Sequence, residues 1–255
     1  MSGFKFTSCA AACALLAACG GGGDGAAEGI DSQAASAPSS AAAGTTVAGE
    51  VLVKLLSAAD LPALLADNGL AVIDQFGQRP IYRLRAAAGT DIQALSARLE
   101  ADARVQYAEP NLLHETPEGR AREAWAIGGD AGVFATQWNT RALRLGEAHT
   151  LSIGNGVTVA VLDTGVDGAH PALAGRLVPG FDFVDFDAAP DETGSVVDRG
   201  FGHGTHVASL VAQVAPGARI MPVRVLDAQG VGNVWVLAEG LLHAVDPDRN
   251  PTSDD

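Results

Sequence analysis

The sequence predicts an α/β fold built on a parallel sheet, preceded by a small α+β domain. Residues 157–162 form a short apolar, β-branched run that stops at Asp163, which is typical of a strand buried on both faces of a parallel sheet. Residues 49–113 instead have the size and the alternating pattern of a small domain of strands and helices. With 255 residues, of which 47% are hydrophobic, the chain is long enough to bury a core in one or two domains.

The first 18 residues resemble an export signal. Lys5 supplies the positive end, and Cys9 to Ala18 form an apolar core that is too short to span a membrane permanently. Leu16-Ala17-Ala18-Cys19 resembles the bacterial lipobox, which implies cleavage before Cys19 and attachment of lipid to it. An ordinary secretory signal is the alternative. We therefore expect export, followed either by lipid anchoring to a bacterial cell membrane, at the outer membrane or the periplasmic face, or by secretion.

Residues 19–48 are predicted to be a flexible linker, because their Gly, Ala and Ser content lacks any apolar periodicity. All three cysteines, Cys9, Cys13 and Cys19, lie at or before the start of this linker. The folded part of the chain therefore has no disulfide, Cys-ligated metal site or thiol nucleophile.

Residues 49–113 follow the order β-α-β-β-α-β, a split βαβ, ferredoxin-like plan. Ser57 begins a capping box that opens the first helix, which runs towards Gly69. Thr90 is predicted to cap the second helix. The buried side of that helix is predicted to be Ile92, Leu95, Ala97 and Leu99, and the strands to be residues 50–56, 70–76, 81–85 and 105–108.

Two polar side chains of the second part are candidates for chemistry. Asp163 follows a strand, and ligands of open α/β sheets bind at the carboxyl ends of strands. His203 precedes small residues that could begin a helix and let it approach the sheet closely. An Asp that orients a His, and a His that takes a proton from a hydroxyl, form the base half of a nucleophilic triad.

These residues carry a family resemblance. Asp163-Thr164-Gly165-Val166-Asp167, followed by His170-Pro171, and then His203-Gly204-Thr205-His206-Val207-Ala208 resemble the Asp and His boxes of the subtilisin-like serine proteases. The resemblance implies a subtilisin-like catalytic domain over residues 137–255 and hydrolysis of peptide substrates through an acyl-enzyme. In that scheme Asp163 orients His203, which acts as general base and then as general acid.

Residues 49–113 resemble the propeptide of the same family. This resemblance implies that the domain assists folding and that its tail lies in the active site as a product-like inhibitor. It also implies that residues 114–136 form a linker that contains the maturation cleavage site.

Gly230-Val231-Gly232 matches the family segment whose backbone pairs with an extended substrate as an added strand. A plain turn before a helix is the alternative. Beyond this segment, residues 234–245 are predicted to be a helix, and residues 144–151 and 219–226 a helix and a strand.

The family's third box, a Gly-Thr-Ser-Met-Ala-like turn that carries the nucleophile, is missing from the 255 residues. The only serines after His203 are Ser209, inside the His box, and Ser253, in a polar tail. We therefore expect the catalytic domain to be incomplete and the chain, as given, to be an inactive fragment of a protease precursor.

Other functions are less compatible with the sequence. The net charge of -14 argues against a nucleic-acid partner. His203 and His206 are three residues apart, but no third ligand has characteristic spacing, so no metal site is predicted. No cofactor is predicted either, although the acidic residues between Phe181 and Asp198 could supply oxygen ligands for calcium.

Two alternatives stay open. Asp163-Thr164-Gly165 is also typical of aspartic proteases, which need two such carboxylates, whereas this chain has one and would have to dimerise. A non-enzymatic module is the second alternative, in which the propeptide-like domain binds or inhibits another protease.

Overall fold

Residues 46–116, 134 and 136–247 are described by the computed structural model of the chain. The predicted signal peptide, Cys19, residues 19–45 of the linker, most of the predicted maturation linker and residues 248–255 lie outside the described residues. No helix within the described ranges is long and apolar enough to cross a membrane.

The first part of the described chain has the predicted order of strands and helices. Four strands form an antiparallel sheet in the order β2-β3-β1-β4, and both helices connect its strands. Its core is continuous and contains residues from every strand and helix except β2, with Val51, Leu64, Leu84 and Leu99 almost fully buried. The elements are β1 (Thr46–Leu55), α1 (Leu61–Asn68), β2 (Ala71–Gln75), β3 (Ile81–Arg85), α2 (Ile92–Glu100) and β4 (Val105–Glu115).

Local details of this part correct three predictions. Asp91, not Thr90, caps α2, because its carboxylate accepts the Ala94 N–H while the Thr90 hydroxyl turns back to the Ala87 carbonyl. Ala97 is exposed and Ser96 is buried instead, its hydroxyl bonded to the Ile92 carbonyl at 2.8 Å. Strand β4 continues through Glu115, well beyond the predicted end at residue 108, because it gains a second neighbouring strand there.

The second part contains a parallel sheet of three strands in the order β5-β7-β6. Strand β5 pairs with β7 along its whole length, from Thr158 opposite Arg219 to Asp163 opposite Arg224. The predicted parallel strand at Asp163 is thus confirmed. The elements are α3 (Trp138–Ala142), α4 (Leu145–Leu151), β5 (Thr158–Asp163), β6 (Phe181–Asp182), α5 (His203–Val214), β7 (Arg219–Arg224), β8 (Val231–Asn233) and α6 (Val234–Val245).

Helices α5 and α6 pack on this sheet through separate apolar clusters. Val161 and Ile220 lie with Ala208 and Ala212 of α5, and Val223 lies with Val236 of α6. The small alanines of α5 let the helix approach the strands closely, which brings the first residue of α5 next to the last residue of β5.

Candidate active site

Asp163 is the last residue of β5 and is almost completely buried. A buried carboxylate needs hydrogen-bond donors to offset its lost hydration. Two donors meet the same oxygen, because Oδ1 accepts the Thr164 N–H at 2.8 Å and contacts the Nδ1 atom of His203 at 2.6 Å. The side chain is therefore held in one orientation, directed at the imidazole.

His203 is the first residue of α5 and its ring is almost completely buried as well. A carboxylate only accepts hydrogen bonds, so the His203 Nδ1 atom must carry the proton that it donates to Asp163. In the neutral imidazole, the lone pair then belongs to Nε2. This arrangement gives a ring whose tautomer is fixed and whose Nε2 atom is the basic one.

The start of α5 touches the turn that follows Asp163. The Gly204 N–H donates to the Thr164 hydroxyl at 3.0 Å, parallel to the contact between Asp163 and His203. A Cβ atom on Gly204 would lie 2.1 Å from the Gly165 carbonyl oxygen and 3.1 Å from the Asp163 Cβ. Only glycine therefore permits the approach on which the Asp163–His203 hydrogen bond depends.

His206 lies three residues after His203 and does not share its buried position. Partial burial and the nearby charge of His203 lower the pKa of His206 below its ordinary value of 6.5, and Asp163 acts in the opposite direction. The lowered pKa favours the neutral form of His206, which limits the positive charge beside His203.

The predicted substrate segment consists of Gly230 and the first two residues of β8, and it is paired with another strand. The end of β4 lies antiparallel to β8, with Leu113 opposite Asn233, His114 opposite Gly232 and Glu115 opposite Val231. The Thr116 N–H continues the ladder by donating to the Gly230 carbonyl at 3.0 Å. Backbone groups of Gly230, Val231 and Gly232 thus face an extended segment of the chain's own first domain.

Trp235 anchors the first domain beside this pairing. Its side chain is almost completely buried, its indole N–H donates to Asp74 at 3.2 Å, and the ring of Phe76 meets it edge-on at 5.9 Å. The Arg83 guanidinium lies 5.7 Å from the indole ring. A buried aromatic ring that is hydrogen-bonded at its edge is a typical anchor of an interface.

Asn111 links the same interface to the start of α6. Its side-chain oxygen accepts the backbone N–H of Trp235 at 3.3 Å, and its side-chain NH₂ group donates to Glu50 at 2.8 Å. Glu50 in turn pairs with Arg85 at 3.2 Å. Asn111 is fully buried, so each of these polar contacts replaces one that water would otherwise provide.

The nucleophile of a triad is not brought to His203 by the described residues that follow it. Ser209 is on α5 itself, six residues further on, which places it about 9 Å along the helix axis. That separation exceeds hydrogen-bond reach. The structure therefore brings the candidates Asp163 and His203 into contact and pairs the predicted substrate segment with β4. The lipidation candidate Cys19 lies outside the described residues.

An arginine side chain lies among the acidic residues in and after β6. The buried Arg224 guanidinium donates to Asp182 at 2.6 Å, to Asp185 and to Thr193 at 2.8 Å. Within the ranges that the structure describes, no group of three or more His, Cys, Asp or Glu side chains is placed to hold a metal ion. Calcium binding by this loop stays an untested alternative to the prediction of no cofactor.

Sequence reasoning missed three residues of this region. Trp235 and Asn111 act across two parts of the chain that are more than 100 residues apart, which no local pattern reveals. Glu192 belongs to the acidic loop, yet its carboxylate contacts Thr164, Thr205 and Gly202 around the Asp163–His203 pair. The sequence places Glu192 shortly before the His box, but it does not show which residues its side chain contacts.

Comparison with known proteins accounts for both parts of the chain. Residues 154–249 match the model of the subtilase family, and residues 32–111 match that of the fervidolysin N-terminal prodomain. The chain thus carries a region that is similar to the subtilases, behind a region that is similar to a subtilase prodomain.

Two relatives show the extent of the similarity. Thermitase from Thermoactinomyces vulgaris is 38% identical over 120 residues, which cover 43% of this chain and 40% of thermitase. The thermophilic serine proteinase of Bacillus sp. (strain AK1) is 30% identical over 217 residues, which cover 80% of this chain and 50% of that protein. The chain therefore spans half or less of the length of these relatives.

The fold also resembles a solved structure. The crystal structure of fervidolysin from Fervidobacterium pennivorans covers 82% of this chain, and the match covers 35% of fervidolysin, with a TM-score of 0.59 and 23% identity. This likeness concerns the fold, and it confirms the predicted combination of a subtilisin-like parallel sheet with a preceding α+β domain.

Replacing Gly204 by Ala tests the close approach of α5. The added methyl group would overlap the Gly165 carbonyl, so the helix start must move away from Asp163. We expect the free energy of unfolding to fall by about 1–3 kcal/mol, the usual cost of overpacking. Denaturant unfolding measures it, and Gly146→Ala is the control, because a Cβ there has nothing within 4 Å. Equal stability of Gly204→Ala and the unchanged chain would contradict this account.

Proposed function

We propose that this chain is part of a serine endopeptidase precursor in which Asp163 and His203 form the base half of the catalytic triad. The 2.6 Å contact between the Asp163 carboxylate and His203 Nδ1 is the observation that carries the proposal. It is supported by the subtilase match over residues 154–249, which include both side chains. Peptides or proteins are the substrate class that this family relationship supports.

In this mechanism the two side chains move one proton. Asp163 holds the His203 ring so that the Nε2 lone pair takes the proton of an attacking hydroxyl, and the carboxylate stabilises the imidazolium that forms. His203 then gives the proton to the leaving amine. The family resemblance implies a serine in a Gly-Thr-Ser turn as the source of the hydroxyl, and these 255 residues contain no Gly-Thr-Ser tripeptide.

We further propose that residues 46–116 inhibit the site by occupying its substrate strand. Substrates that add to a sheet edge are held by main-chain hydrogen bonds, so any extended segment paired there competes with them. Residues 113–116 make those hydrogen bonds to residues 230–233. Trp235 and Asn111 hold the rest of the domain in place beside the pairing.

Loss of proteolysis on changing either side chain tests the catalytic proposal. The sample is the product of the complete reading frame, including any codons that follow Asp255, and the readouts are peptide hydrolysis and labelling by a fluorophosphonate. Asp163→Asn removes the acceptor that fixes the tautomer, so we expect kcat to fall about 10,000-fold, as in other triads. His203→Ala removes the base and should cost at least as much.

The control for this test is His149→Ala, which changes a histidine that is bonded to the Val214 carbonyl on the far end of α5. It should leave kcat unchanged. Hydrolysis that is unaffected by His203→Ala, or a complete product that neither hydrolyses peptides nor reacts with the probe, would refute the endopeptidase proposal.

Removing the Trp235 side chain tests the inhibitory docking. Truncation of a buried Trp costs about 3–5 kcal/mol, so in Trp235→Ala we expect the Thr116 amide, which bonds to Gly230, to exchange at least about 100-fold faster with solvent. Trp138→Ala is the matched control, because Trp138 is 82% exposed. Unchanged exchange at Thr116 in Trp235→Ala would show that Trp235 does not hold the strands together.

We also propose that the chain is exported and is anchored by lipid on Cys19. Support comes from the lipobox-like Leu16-Ala17-Ala18-Cys19 and from the similarity to exported subtilases, among them the minor extracellular protease Vpr of Bacillus subtilis. Palmitate labelling in bacterial cells tests the anchor: Cys19→Ser should abolish it, and Cys13→Ser should not. Labelling that survives Cys19→Ser would contradict the proposal.

A further inference from the structure

We propose that Glu192 is a positioning residue of the Asp163–His203 pair. Its carboxylate fixes the hydroxyl groups of Thr164 and Thr205 and thereby sets where the start of α5 lies against the turn after Asp163. The inference rests on the proposed function only in that the pair is taken to be catalytic, since the geometry itself can be tested without any proteolysis.

The Glu192 carboxylate has three partners, one in the turn after Asp163 and two at the start of α5. Oε1 accepts the Thr164 hydroxyl at 3.0 Å and the Gly202 N–H at 2.6 Å. Oε2 accepts the Thr205 hydroxyl. Thr164 follows Asp163 directly, whereas Gly202 and Thr205 flank His203 and Gly204 in the chain, so a single side chain bridges both halves of the pair.

The hydroxyl groups turn this bridge into a positional constraint. A hydroxyl has one proton and can accept through its lone pairs. Because Thr164 gives its proton to Glu192, its lone pairs face the Gly204 N–H, which donates to it at 3.0 Å. Thr205 likewise gives its proton to Glu192 and accepts the Asp167 N–H at 2.8 Å.

Both threonines are buried, so solvent does not replace these partners. Thr164 is 1% exposed and Thr205 is 7% exposed. Without Glu192, each hydroxyl proton must find another acceptor, and rotation towards one would take the lone pairs away from Gly204 and Asp167. The hydrogen bond that holds the peptide next to His203 would then be lost.

Glu192 also supplies a cap that α5 lacks. The N-cap residue Gly202 has no side chain, and no side-chain cap of its own satisfies the helix start. A carboxylate on the Gly202 N–H provides the acceptor and the negative charge that a helix N-terminus favours. The backbone just before Glu192 is also bonded to the turn after Asp163, because the Val166 N–H donates to the Pro190 carbonyl at 3.0 Å.

The test is the proton on His203 Nδ1, observed by NMR in the complete 255-residue chain labelled with ¹⁵N. Hydrogen bonding to Asp163 shifts this resonance to low field, and its loss in His203→Asn assigns it. We expect Glu192→Ala to shift the resonance upfield or to abolish it through exchange with water. Asp191→Asn is the matched control: it removes a negative charge one residue away, from an exposed side chain, and should leave the resonance in place.

Thr164→Val is measured in parallel, so that the result does not depend on whether Glu192→Ala folds. This variant keeps the shape of the side chain and removes the hydroxyl through which Glu192 acts on Gly204. It should displace the His203 resonance in the same direction, and combining it with Glu192→Ala should add little. A His203 resonance that stays at its original position in Thr164→Val, or in a folded Glu192→Ala chain, would overturn the proposal.

The proposed function fails separately. If the complete reading frame gives no serine-type proteolysis while both variants still displace the His203 resonance, Glu192 positions a pair that serves another purpose. If proteolysis is found and the resonance does not respond, the endopeptidase stands and Glu192 is not its positioning residue.

Discussion

The hydrogen bond between Asp163 and His203 depends on how closely a helix can approach the end of a strand. Both side chains are buried, so the carboxylate is tolerable only where donors surround it. Those donors come from the next residue and from the first residue of α5. Gly204 permits the contact and the Thr164 hydroxyl holds it. The positions of the sheet, the helix and the turn together therefore determine the distance between Asp163 Oδ1 and His203 Nδ1.

Strand β4 pairs with two different strands, one from each part of the chain. Its first half closes the sheet of the N-terminal domain against β1, and its second half extends that sheet to β8. A segment paired with β8 excludes any other extended peptide from those backbone groups. Occupation of the proposed substrate strand would thus be a consequence of ordinary sheet formation, and Trp235 adds a side-chain contact between the two parts.

Much of this arrangement was predictable from local patterns. The order of strands and helices in residues 46–116 follows from apolar alternation and helix periodicity, and the strand before Asp163 from its β-branched run. Errors arose where neighbouring residues compete for one role. Thr90 and Asp91 are both good caps, and the backbone conformation selects Asp91. Ser96 is buried in place of Ala97 because it lies four residues after Ile92 on the same face of the helix, and its hydroxyl is satisfied there by the Ile92 carbonyl.

By itself, the sequence determined the two residue types that form the pair, their order, and the glycine that lets them meet, because these are properties of short stretches. Only the tertiary structure decided what surrounds them. The length of β4 depends on a partner strand more than 100 residues away. Glu192 contacts Thr164 in the turn after β5, and Trp235 contacts Asp74 in the first domain. Such contacts depend on the direction of a side chain in the folded chain, which composition and spacing do not encode.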